Sequence, residues 1–224
     1  MINQLGRAVL AYPRRAPMTF SYVVLLLAGY VWVRQGLSAE RANAVLGYVS
    51  TNLDNLQDHP VTAMLGSVLF FDGTLTDFAS LDFVGTVIIL GLGVICCLAW
   101  AERRWGAWRA AALFLAGHII ATLLTTVAIV VALGQGWYPE DVRHSLDYGV
   151  SYGSQTMLAL AVLALPRWAR IPWAVFALGW PLGGLVWFGP MPDFNTIGHV
   201  LGAVIGLVLA AVPALRRPRV DTPR

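Results

Sequence analysis

Two side chains in this sequence could do chemistry together. Ser151 stands in Gly149-Val150-Ser151-Tyr152-Gly153, and His199 stands in Gly198-His199-Val200-Leu201-Gly202-Ala203-Val204-Ile205-Gly206. A serine hydroxyl becomes a nucleophile when an imidazole beside it takes its proton, and that step requires no third group. Each residue lies about one helical turn, ~5 Å, inside the start of an apolar run. The spacing of the glycines supports a meeting. Gly149 and Gly153 flank the serine, and Gly198, Gly202 and Gly206 repeat every four residues, a pattern that lets membrane helices touch along their backbones. Such glycines also occur in bundles without catalysis, where a serine among them is only a small packing residue. A histidine at membrane depth is the stronger signal, because an ionisable group there is costly and is retained for function. A contact between the two helices predicts Ser151 within hydrogen-bond reach of His199.

The elements that must position these residues follow from composition. Of 224 residues, 58% are hydrophobic and 12% charged, with mean hydropathy +0.67. Soluble domains carry about twice that charged fraction, so the chain reads as one polytopic membrane domain. Apolar runs near Met18–Val33, Phe83–Ala101, Trp108–Leu133, Gly149–Leu165, Ile171–Gly189 and Thr196–Leu215 approach the ~20 residues a bilayer requires. The fourth is the shortest, and its glycines and hydroxyls predict burial among other helices. Six spans put both termini on one side. Arginines test that count: twelve fall in the segments of that side and three, Arg34, Arg41 and Arg143, in the other, while ten of twelve acids sort the opposite way. This is the positive-inside pattern of a chain with both ends cytoplasmic. The reading gives a cytoplasmic segment 1–17, a membrane domain 18–215 with a long outer loop 34–82, and a basic tail 216–224. Within the loop, Val61–Phe71 is apolar but too short to span, as in a re-entrant or interfacial piece.

Several function classes are excluded. All fifteen basic residues are arginine, with no basic run interleaved with aromatics, so nucleic acid is not expected as a partner. No His/Cys/acid cluster has metal-ligand spacing, and no phosphate-binding glycine loop is present, so neither metal nor cofactor is expected. Cys96 and Cys97 are sequence neighbours and read as small packing residues. Gly149-x-Ser151-x-Gly153 resembles a nucleophile elbow, but the strand that motif needs before it is missing. His118, midway along the third run, is a candidate site residue or a hydrogen-bonded core histidine. Asp147 suits the dipole at the start of the fourth helix.

Gly149-Val150-Ser151 on a fourth span and His199-x-x-Gly202-x-x-x-Gly206 on a sixth resemble the rhomboid intramembrane serine proteases. Glu102-Arg103-Arg104-Trp105-Gly106 is similar to that family's Glu-x-x-x-Gly turn after its second helix. The resemblance implies an all-α, six-transmembrane-helix rhomboid-like bundle in the inner membrane of a bacterium. It implies cleavage of transmembrane protein substrates near their outer end, with Ser151 as nucleophile, His199 as general base, and a gate of the fifth span and Pro190–Asn195. The chain departs from the family at four places. Tyr152 replaces the glycine after the nucleophile, and Gln155 stands where a tyrosine packs on the histidine. Thr86 and Leu90 stand where a histidine and an asparagine help hold the oxyanion. Gln155, Asn195 and His118 are the polar residues available to substitute as oxyanion donors. Two other readings fit the same residues: an inactive relative that binds membrane clients, and a small transporter that uses His118 and His199 as proton carriers.

Overall fold

The computed structural model describes residues 2–216, so most of the basic tail lies outside the described residues. The chain is helical. Helix α1 (Ile2–Arg15) ends at Ala16, and α2 (Pro17–Gly36) follows with proline in its first turn, where no N–H is needed. The 34–82 loop, expected on the outer side, folds into α3 (Ala39–Val49), α4 (Leu53–Asp58) and α5 (Pro60–Ser67), the first two capped by Ser38 and Asn52. Next come α6 (Leu81–Trp105) and α7 (Ala107–Gly134). Gly106 joins them at φ +87, a left-handed conformation that a side chain would strain. Helices α8 (Ser151–Leu160), α9 (Arg167–Gly179) and α10 (Phe194–Ala211) complete the bundle, with a two-residue hairpin, β1 (Trp187–Phe188) and β2 (Met191–Pro192), before α10.

Among the described residues four helices are long and apolar enough to cross a membrane: α2, α6, α7 and α10. The fourth and fifth apolar runs give shorter elements than their length predicts. Gly149 at φ +129 delays the start of α8 to Ser151, and the helix tightens into a 3-10 turn at Ala161–Ala164 before Pro166 stops it. Fourteen residues at ~1.5 Å each reach ~21 Å, short of the ~30 Å hydrocarbon core. Helix α8 tolerates this because it stands inside the bundle: every residue from Tyr152 to Leu160 is buried. The burial predicted from its small and polar residues is therefore what the fold shows.

Close approach around α8 depends on missing side chains. A Cβ on Gly202 would meet the Tyr152 carbonyl at 2.8 Å, and one on Gly206 would run into the Thr156 carbonyl, so the α10 glycines do lie against α8. Thr156 Oγ1 donates to the Gly202 carbonyl at 3.1 Å across that seam. The glycines flanking Ser151 do otherwise. Gly153 faces the Phe114 ring of α7, and Gly149 makes the turn under the outer loop, so neither contributes to the α8–α10 contact expected of them. The position of Gly93 on α6 receives Ser154, whose hydroxyl donates to the Ile89 carbonyl at 2.5 Å. At the opposite end the buried Glu102 accepts from Met18 N (2.9 Å), Thr19 N (2.8 Å) and Thr19 Oγ1 (2.7 Å). A carboxylate at the start of α2 satisfies helix N–H groups that have no internal acceptor and suits the dipole there.

Candidate functional site

Ser151 is the first residue of α8, and three observations fix it. Val150 N donates to the Phe70 carbonyl at 3.1 Å, Thr51 N donates to the Asp147 carbonyl at 2.6 Å, and Gly149 turns between them. The outer loop, through Thr51 and Phe70, thus holds the start of α8. That start is uncapped. Val150 offers no side-chain acceptor, and the first bond of the helix runs from Ser154 N to the Val150 carbonyl at 2.8 Å. The amides of Ser151, Tyr152 and Gly153 precede it without an intrahelical partner, and helix N–H groups of this kind attract negative charge.

His199 lies in the second turn of α10. Asp193 caps that helix, accepting from Thr196 N at 2.9 Å and Thr196 Oγ1 at 2.7 Å. His199 Nδ1 is 2.7 Å from the Asn195 carbonyl. A carbonyl only accepts, so Nδ1 carries the proton and Nε2 keeps its lone pair, the tautomer a general base needs. Two rings clamp the imidazole edge to face: Tyr152 at 5.3 Å between centroids and 83°, and Trp180 at 5.7 Å and 67°. Such pairs contribute about 0.5–1.5 kcal/mol each beyond the area they bury.

Ser151 and His199 line one cavity of about 560 Å³, together with Asp72, Asp147, Trp180 and Asn195. No hydrogen bond joins the serine to the histidine among the described residues, which corrects the expectation drawn from the helix contact. The closest α8–α10 approach lies deeper, at Gly202 and Gly206, and at the level of Gly198 the Tyr152 ring fills the space between the helices. Ser151 opens instead onto the cavity. Asp147 does not act on the helix dipole alone. Its carboxylate accepts from Thr51 Oγ1 at 3.0 Å, and burial pushes its pKa up from 3.8 to about 6, against the Thr51 hydrogen bond and the nearby Tyr152 hydroxyl, which pull it down.

The three substitutes for the oxyanion donors separate. Asn195 is exposed and lines the cavity. Gln155 is fully buried and committed elsewhere: its amide donates to the Ala177 carbonyl and accepts from Trp180 Nε1 at 2.8 Å. It ties α9 to α8 and aims Trp180 at His199. His118 is buried in the core, where its Nε2 lies 3.1 Å from Ser67 Oγ, and it is not part of the cavity wall. Thr86 is occupied by Thr74 N and the Asp82 carbonyl, and Leu90 is core. Sequence reasoning missed Tyr152 and Trp180 as the partners of His199. Their aromatic character was the available signal, yet nothing in the spacing says that residue 152 turns toward position 198. The segment Pro190–Asn195, expected as part of a gate, contains the second hairpin strand, pinned where Tyr138 Oη donates to the Pro192 carbonyl.

Helices of membrane length around a short buried one, with a serine and a histidine on one cavity at its head, are those of an all-α membrane protein. A family model described as rhomboid-like protein matches residues 11–220. That is nearly the whole chain, and the protein belongs to the rhomboid-like family. Neither the curated proteins nor the solved structures contain a match.

Proposed function

We propose that this rhomboid-like protein is an intramembrane serine endopeptidase that cleaves transmembrane proteins near the end of the bundle where the cavity opens. The observation that carries the reading is the pairing, on one cavity wall, of Ser151 at an uncapped helix start with a His199 whose Nδ1 is already anchored. Ser151 Oγ attacks the scissile carbonyl while its proton passes to His199 Nε2. The carbonyl oxygen becomes an oxyanion, held by the free amides of α8 with Asn195 beside them. The peptide C–N bond then breaks, the leaving amine takes the proton from His199, and Ser151 keeps the acyl group. Water, deprotonated by His199, attacks that ester and frees the carboxylate product and the serine hydroxyl. One lost oxyanion donor costs about 10²–10³ in rate, so backbone amides would supply the main share here, Thr86 and Leu90 offering none.

Six spans with both ends cytoplasmic, in a bacterial inner membrane, complete the proposal. The arginine distribution supports it, and α8 and α9 would cross as short internal helices. A second reading has its own support, the missing Ser151–His199 hydrogen bond: the protein then binds membrane clients through the same cavity without cutting them. Reconstitution in liposomes with a single-span substrate separates the two. Product that forms with the native chain and vanishes in Ser151→Ala supports the protease. Substrate retained by both proteins, with no product from either, supports the binding protein and overturns the protease.

A further inference from the structure

We propose that the end of the bundle opposite the cavity holds the phosphodiester headgroup of an anionic phospholipid, seated at Arg104, Trp105 and Arg216. Three chain segments converge there. Glu102 takes the start of α2, Arg104 Nη2 donates to the Arg216 carbonyl at 3.0 Å, and Tyr12 Oη donates to the Ile95 carbonyl at 2.8 Å, which lays the end of α1 on α6. They bring the segments that carry Arg14, Arg15, Arg103, Arg104 and Arg216 to one end of the bundle. Glu102 is the carboxylate among them, buried, with its oxygens already engaged by α2. Among the described residues no ion pair involves these arginines; the ion pairs that exist, Arg143 and His144 with Asp54, are on the outer loops. Asp221 lies outside the described residues. Like charges gathered at one end repel, and an anion among them relieves that repulsion.

Hydrogen bonding points to the same kind of ligand independently of charge. Arg104 Nε and the indole Nε1 of Trp105 are buried and have no acceptor, and Trp105 is only 4% exposed. The Arg104 guanidinium carbon lies 5.5 Å from the centre of the Trp105 ring and 5.8 Å from that of Trp100, so the two side chains that carry these donors pack against each other. Buried N–H groups normally find partners, and two adjacent ones beside arginines call for an oxygen-rich anion. Depth selects its source. Trp108 and Trp168 are 89% and 81% exposed at the starts of α7 and α9, the placement of tryptophans at a headgroup layer. A group at that level is a lipid headgroup, not a soluble phosphate.

Native mass spectrometry of the full-length protein, released from detergent containing phosphatidylglycerol and phosphatidylcholine in equal amounts, tests the site. The native chain is expected to retain phosphatidylglycerol in preference. A cation near a charged membrane surface contributes about 1 kcal/mol, roughly fivefold, so Arg103→Gln/Arg104→Gln/Arg216→Gln should lower that preference about a hundredfold. Trp105→Phe keeps the ring and removes the indole donor; it should weaken retention severalfold, and it serves alone if the triple variant does not fold. Equal retention of the two lipids by the native chain overturns the proposal, as does an unchanged preference in Trp105→Phe together with any folded triple variant. Displacement of the lipid by inorganic phosphate would overturn the lipid assignment in favour of a soluble anion.

Discussion

At the scale of single residues the account turns on how His199 is held. Tyr152 supplies a ring to the histidine, while its buried hydroxyl lies toward the Asp147 carboxyl and helps hold that carboxyl's pKa down. Tyr152→Phe keeps the ring and is expected to keep the activity, whereas Tyr152→Ala loses the clamp and the activity, as read from product formed in liposomes. Asp147 gives a pH signature. Its folded-state pKa of about 6 lies above the ordinary 3.8, so the folded protein binds that proton more tightly than the unfolded chain. The stability it contributes is full below about 3.8 and is lost as pH rises through about 6. Asp147→Asn should flatten the fall in unfolding midpoint across that window, and an unchanged slope would assign the titration to another group. Ser151 and His199 stood out as candidates because their types are rare together in apolar runs, and the structure puts both on one cavity wall. Tyr152, Trp180 and the commitment of Gln155 were not, since each depends on which way a side chain turns inside the bundle.

At the scale of elements the seam between α8 and α10 is the tightest requirement. A methyl at Gly206 collides with backbone, which nearby side chains cannot relieve, and forced contacts of this kind cost about 1–3 kcal/mol. Gly206→Ala should lower the unfolding midpoint. Gly47→Ala, in α3 where nothing lies within 4 Å of an added methyl, should leave it level or raise it slightly, as alanine is the better helix former. Equal effects in the two variants would mean that the seam is looser than described. The four-residue glycine repeat of α10 told its own packing face from sequence. The roles of Gly149 and Gly153 could not be told the same way, because a glycine that opens a turn and one that admits a phenylalanine look alike in a string of letters. Helix length was misjudged for a similar reason. Hydropathy reports where apolar residues run, while φ at Gly149 and the stop at Pro166 decide where helix begins and ends.

At the scale of the whole molecule, charge and site sit at opposite ends. The arginines gather where α1, the α6–α7 turn and the segment after α10 meet, and the cavity opens where the outer loop folds over α8. The separation of the arginines from the Ser151 end was readable from arginine counts alone, since it lies in the composition of the connecting segments and not in how side chains pack. Reporter fusions should place the 34–82 loop outside and the C-terminus in the cytoplasm. If Ser151 is a nucleophile activated by His199, labelling with a serine-directed fluorophosphonate followed by peptide mapping will find it. Adduct is expected on Ser151 in the native protein and none in Ser151→Ala or His199→Ala, with both variants folded. Adduct on another serine, or an unlabelled Ser151 in liposomes and detergent alike, would contradict it.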